Sequence, residues 1–162
     1  MDRSKNLRTE FPLDDVDRMI VTELQRDGRM TNAELADRVG IAASTCVARV
    51  RSLVGRGIIT GFTATVDPAI TGRTLQVLVS VSIRSGARQR ISEFSDELRA
   101  LPEVLQLFFL GGVEDFIIHL AARDSDHVRD FVMEHLSAHP AVSSTRTSIV
   151  FSHHQNPVRL PN

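Results

Sequence analysis

The hydrophobic period of the chain changes at Gly72, and that change limits the folds open to it. Downstream, Leu75, Val77, Val79, Val81 and Ile83 recur at every second position, with Gln76, Ser80 and Ser82 between them. A strand with one face on a core and one on a polar surface reads this way. Ile91, Phe94, Leu98 and Leu101 then follow at helical spacing, and Pro102 stops the run. Two more strands are predicted over 104–110 and 116–122, with Gly111-Gly112 turning the chain between them. A helix that Ser125 is expected to cap carries Val128, Phe131, Val132 and Leu136 until His139-Pro140 breaks it, and a strand over 142–151 precedes a loose tail. The order β-α-β-β-α-β is the split ferredoxin-like arrangement, an antiparallel sheet with helices on one face.

Upstream of Gly72 the period is helical. After an arm over residues 1–12, which reads as flexible, Val16, Ile20 and Leu24 stand four apart, and Asp14 or Asp15 can cap their helix. Asp27-Gly28 ends it. Thr31-Asn32-Ala33-Glu34 is a capping box that opens a short second helix with Leu35, Ala36 and Val39. Gly40 supplies a tight turn into a third helix, about Ser44 to Val54, whose Cys46, Val50 and Leu53 share a face. Ile58 to Val66 reads as a hairpin-like extension broken at Gly61. Three short helices with a steep turn and an extension predict a winged helix-turn-helix over 13–66, ahead of a ferredoxin-like unit over 73–155. The class is α+β, and the third helix is the one expected in a DNA major groove.

Charge placement agrees with that geometry. The 162 residues carry 19 Lys and Arg against 20 Asp and Glu, a net charge of −1, so the chain is no general polycation. Between Gly40 and Gly61, however, Arg49, Arg51 and Arg56 stand with no acid among them. Ser44, Thr45, Ala48, Arg49, Arg51 and Arg56 are therefore the expected DNA-contacting positions. A plain three-helix bundle with solvated arginines is the competing account. No window of eighteen apolar residues exists, and charges follow Met1 at once, so neither a spanning helix nor a secretory signal is expected. A cytoplasmic, nucleoid-associated protein is the expectation. Cys46 is alone and reads as a core residue, without an internal disulfide. His135 and His139 stand at metal-ligand spacing, but Pro140 should end the helix between them and no third ligand is evident, so no metal is expected.

Several stretches resemble the leucine-responsive/asparagine-type (Lrp/AsnC, feast/famine) bacterial regulators. They are Leu13 to Ile20, Leu24 to Arg29, Asn32 to Ala36, Gly57 to Phe62, Asp67-Pro68 with Gly72, Pro102 to Val104, Gly112 to Phe116 and Val142 to Val150. The resemblance implies a DNA-binding first domain, a RAM/ACT-like second domain, homodimers that assemble to octamers, and pseudo-palindromic operators. It also implies a small-molecule effector, usually an amino acid, and no other cofactor. By position the effector candidates are Gly112, Glu114 and Asp115, with Thr145, Thr147 and Ser148 from the last strand. Turn chemistry alone also accounts for Gly112 and Asp115. The chain departs from the family pattern at Ala42, where a serine is usual, and at Val113-Glu114, and it has neither Tyr nor Trp. Relatives of the same two-part build include siroheme decarboxylases, which makes an enzyme the alternative to a regulator.

Overall fold

The computed structural model describes residues 13–160, and the arm expected over residues 1–12 lies outside them. The chain folds as two compact units, one running to Thr65 and resuming at Gln155, the other spanning Val66–His154.

In the first unit, helix α1 (Asp15–Arg26) is capped by Asp14, whose carboxylate accepts the Asp17 N–H at 2.8 Å. Asp15 and Asp17 in its first turn complement the helix dipole. Helix α2 (Asn32–Val39) starts on the predicted capping box: Thr31 Oγ1 accepts the Glu34 N–H and Glu34 Oε2 accepts the Thr31 N–H. Gly40 ends it at φ 71°, a left-handed conformation that costs a residue with a Cβ roughly 1 kcal/mol or more. Helix α3 (Ala43–Gly55) follows, and Ala42 at its N-cap has no side chain able to accept a bond. Ile20, Leu35, Ala36, Cys46 and Leu53 interlock as the core of the three helices.

Two expectations for this unit are corrected. Residues 58–66 form no strand, so the extension is irregular and not a hairpin. The N–H groups of Ile58 and Ile59 both turn back to the Leu53 carbonyl, and their side chains pack on the helical core. With no strand among the described residues of the unit to pair with, the segment is held by those two bonds and by side-chain packing. The tail is not loose either: Val158 bonds to Gln25 and Leu160 packs against the same core.

The second unit is a four-stranded antiparallel sheet in the order β2-β3-β1-β4. Its strands are β1 (Leu75–Ile83), β2 (Val104–Phe109), β3 (Phe116–Ala122) and β4 (Val142–Ile149). Val77, Val79 and Val81 of β1 and Phe116, Ile118 and Leu120 of β3 point to the covered face. There they meet Phe94 and Leu98 of α4 (Ile91–Arg99) and Phe131 of α5 (Ser125–Phe131). Asp124, not Ser125, caps α5, because its carboxylate reaches the His127 N–H at 2.8 Å. A charged acceptor one residue earlier outcompetes a hydroxyl for that donor. The helix runs on as a π-helical segment, Val132–Ser137, before Pro140 stops it.

Candidate DNA-binding and effector sites

Helix α3 divides cleanly into two faces. Cys46 and Leu53 are fully buried, whereas Ser44, Thr45, Ala48 and Arg51 are exposed. The first turn of α3 carries no acid, so its free N–H groups form the positive end of a helix dipole. Arg51 has no partner among the described residues and presents an unneutralised cation on this face.

The other two arginines are placed differently. Arg49 Nη1 donates to Asp14 Oδ2 at 2.6 Å and to Asp17 Oδ1 at 2.8 Å, and Arg56 Nη1 reaches Asp17 Oδ2 at 3.4 Å. Both guanidinium groups are half-buried, and Asp17 is only 6% exposed. They therefore pin the exit of α3 to the start of α1. The Asp17 backbone N–H, and after it Arg49, holds the Asp14 carboxyl below its ordinary range. Asp14 and after it Asp17 push the Arg49 guanidinium up, so it stays charged. Sequence reasoning found the arginines and missed the acids facing them. Asp14 and Asp17 stand one helical turn apart, but nothing local shows which cation, more than thirty residues on, they receive.

In the second unit, Gly112, Glu114 and Asp115 lie together in the β2–β3 turn. Asp115 is tied in three ways: its N–H donates to the Val81 carbonyl, its own carbonyl accepts from Leu110, and Oδ2 accepts the Ile83 N–H at 2.7 Å. Beside it opens a cleft of about 470 Å³ lined by Ile91, Phe109, Leu110, Gly111, Gly112 and Asp115. Glu114 Oε1 accepts from Arg146 Nη1 at 3.5 Å. Ile91, Phe109 and Arg146 were not among the sequence candidates, although Arg146 occupies an outward position in the β4 alternation. The β4 hydroxyls divide between two faces. Thr145 and Thr147 pair with Val81 and Val79, on the covered side, and Ser148 pairs with Leu78 on the open side.

Four of the six histidines contact other rings. His119 lies 5% exposed on the open face of the sheet, its Nε2 3.0 Å from Gln76 Oε1 and its ring edge-on to His153. Burial, and then His153, pushes its imidazole pKa down. His135 lies against Phe131 and His139 against Phe94. Among the described residues no three His, Cys, Asp or Glu side chains group as a metal site.

A helix-turn-helix unit with a basic, acid-free helix face, joined to a ferredoxin-like unit with a cleft at its β2–β3 turn, is the build of an effector-responsive transcriptional regulator. Residues 13–60 match the winged helix-turn-helix DNA-binding profile, and residues 76–158 match the Lrp/AsnC ligand binding domain. The chain belongs to the Lrp/AsnC family. It is 47% identical over 150 residues to the HTH-type transcriptional regulator AldR of Mycobacterium tuberculosis, covering 93% of this chain and 83% of that one. To the leucine-responsive regulatory protein of Escherichia coli K12 it is 34% identical over 148 residues, 91% and 90% of the two chains. Among solved structures it resembles a transcriptional regulator of Neisseria meningitidis in complex with L-Met, with a TM-score of 0.82 and 33% identity over 93% of this chain and 97% of that one. The protein is a DNA-binding transcriptional regulator modulated by a small molecule. Its relatives are regulators, which decides against the decarboxylase alternative. No helix among the described residues is long and apolar enough to cross a membrane.

Proposed function

We propose that the effector is an amino acid and that it seats in the cleft at the β2–β3 turn. The observation that carries this reading is the lining of that cleft. Ile91 and Phe109 offer an apolar wall, while the Gly111-Gly112 backbone and Asp115 offer polar groups beside it. A free amino acid needs an anion for its ammonium, N–H donors for its carboxylate and a pocket for its side chain. Gly112, Glu114 and Asp115 are the contacts from the turn, and Arg146 is a further carboxylate partner within reach of Glu114. Thr145, Thr147 and Ser148 belong to this site only where a neighbouring subunit completes it. The L-Met complex of the Neisseria relative supports the same class of ligand.

On the DNA side, residues 13–66 act as the binding domain and residues 73–155 as the sensor. Ser44, Thr45, Ala48 and Arg51 face the major groove, and Arg49 and Arg56 fix the angle of the helix that carries them. Homodimers assembling to octamers would present paired helices to pseudo-palindromic operators in the cytoplasm, at the nucleoid.

Thermal shift against the twenty amino acids at millimolar concentration tests the effector. One or a few should raise the melting temperature, since ligand at a hundred times its Kd adds about 2.7 kcal/mol. Asp115→Asn keeps an oxygen for the Ile83 N–H and removes the charge, so it should lose the shift while the unliganded protein stays folded. A complete set of twenty null results refutes the assignment.

A further inference from the structure

His119 stands on β3 between Leu78 of β1 and Gln106 of β2, on the face of the sheet away from α4 and α5. It is nonetheless only 5% exposed, with the Gln76 side chain and the His153 ring against it. We propose that the His119–His153 pair is an acid-released latch. While both rings are neutral it holds residues 151–154 on the sheet, and a proton taken up by His119 lets them go.

The two members are held unequally. His119 sits on an inner strand, laddered on both sides, and its Nε2–H donates to Gln76 Oε1 at 3.0 Å. The carbonyl of the same Gln76 accepts the Val150 N–H at 2.9 Å, where the chain leaves β4. Beyond that bond Phe151, Ser152, His153 and His154 are all exposed. The His153 ring, centred 5.5 Å from that of His119 and edge-on at 71°, ties this stretch to the sheet. At Gln155 the chain passes into the first unit.

A proton on His119 finds no anion there. β1 and β2 place Gln76, Leu78 and Gln106 around it, and β4 places Ser148 in line with Leu78. The cationic or titratable groups of the face are Arg146, of the same sign, and His153 with His154 after it. The carboxylates at the two ends of the sheet are already engaged, Glu103 by Arg73 at 3.3 Å and Glu114 by Arg146 at 3.5 Å. An imidazolium at His119 is therefore desolvated, and beside it lies a second ring that can also charge. Moving His153 away restores water to His119, and His153, exposed and past the last strand, is the member that can move. Burial, and then His153, already pushes the His119 pKa down, so the closed latch binds the proton less tightly than the open one. The closed form is favoured above about pH 6.5 and loses ground as pH falls from there. The latch is independent of the effector assignment.

A nitroxide on Ser152→Cys of the full chain reads the latch by electron spin resonance, because buried Cys46 takes no label in the native protein. As pH falls below about 6.5 the ratio of mobile to immobile label should rise, approaching about tenfold per pH unit, while circular dichroism stays constant. His119→Gln should abolish that response, and His153→Ala should leave the label mobile throughout. The histidine Cε1–Hε1 resonances give a second readout: in His153→Ala the His119 midpoint should move up toward its ordinary value. If acid unfolding obscures the label spectra, that midpoint decides. A line shape indifferent to pH in the parent, an equal pH response in His119→Gln, or an unmoved His119 midpoint in His153→Ala overturns the latch.

Discussion

Removing the charge of Asp17 is the sharpest test of how the DNA-binding helix is held. Asp17 receives Arg49 at 2.8 Å and Arg56 at 3.4 Å while itself only 6% exposed. Breaking a fully buried pair costs about 3–5 kcal/mol, and breaking a solvated one about 0–1 kcal/mol. The aspartate sits near the buried limit, but the two arginine side chains keep 32% and 29% of their surface in water. Asparagine also retains an oxygen for one arginine. Asp17→Asn should therefore cost about 1–2 kcal/mol, and in a unit of this size that lowers the melting temperature by roughly 5–15 °C. Calorimetry at low salt measures it, with Asp15→Asn as control, because Asp15 is 89% exposed and bonds only to Arg18 on its own helix. DNA binding should respond in the opposite sense. Two cations lose a competing anion, so affinity for non-specific DNA should rise and the log K against log salt plot should steepen by about one unit. A variant that melts like the parent and shows an unchanged salt slope refutes the assignment of Asp17 as the hub.

Other perturbations separate the two units. Leu53 is fully buried between α3 and the other helices, so Leu53→Ala should cost about 2–5 kcal/mol and abolish DNA binding in chemical denaturation and gel-shift assays before it touches the second unit. Burial pushes the Cys46 thiol up, so a thiol reagent should label it only in denaturant, and rapid labelling of native protein would contradict its core position. His119 has a folded pKa below the unfolded value of about 6.5, so the unfolded chain takes up the proton first. The stability this gives the ferredoxin-like unit is complete above about pH 6.5 and declines as pH falls from there toward the folded pKa. Melting between pH 5 and 8 should show that decline, and His119→Gln should flatten it.

What the sequence discloses is what local physics decides. The Thr31–Glu34 box, the left-handed Gly40 and the β1 alternation each depend on neighbours within a few residues, and each forms as read. Ser125 failed as a cap within the same local range, because Asp124 is charged and stands one residue earlier, at the N-cap position. The extension over 58–66 failed for a different reason. A run of apolar residues specifies an exposed or buried face, but a strand also needs a partner, and the described residues of the first unit offer none.

The long-range pairings were the illegible part. Arg49 and Asp17 are 32 residues apart, and Gln25 and Val158 are 133 apart. Each residue alone reads blandly: an arginine for phosphate, an acid for a helix dipole, a glutamine on a solvated face. Pairing changes the meaning of all of them. A phosphate meeting Arg49 must compete with Asp14 and Asp17, whose negative charges already neutralise it at hydrogen-bonding distance of Nη1. Arg51 faces no such competition, so it should carry more of the salt dependence of DNA binding. Arg51→Ala should lower the log K against log salt slope by about one, and Arg49→Ala by less, while Arg49→Ala costs more in stability. A larger slope change for Arg49→Ala than for Arg51→Ala would mean that the helix rearranges on DNA and gives up its hold on α1.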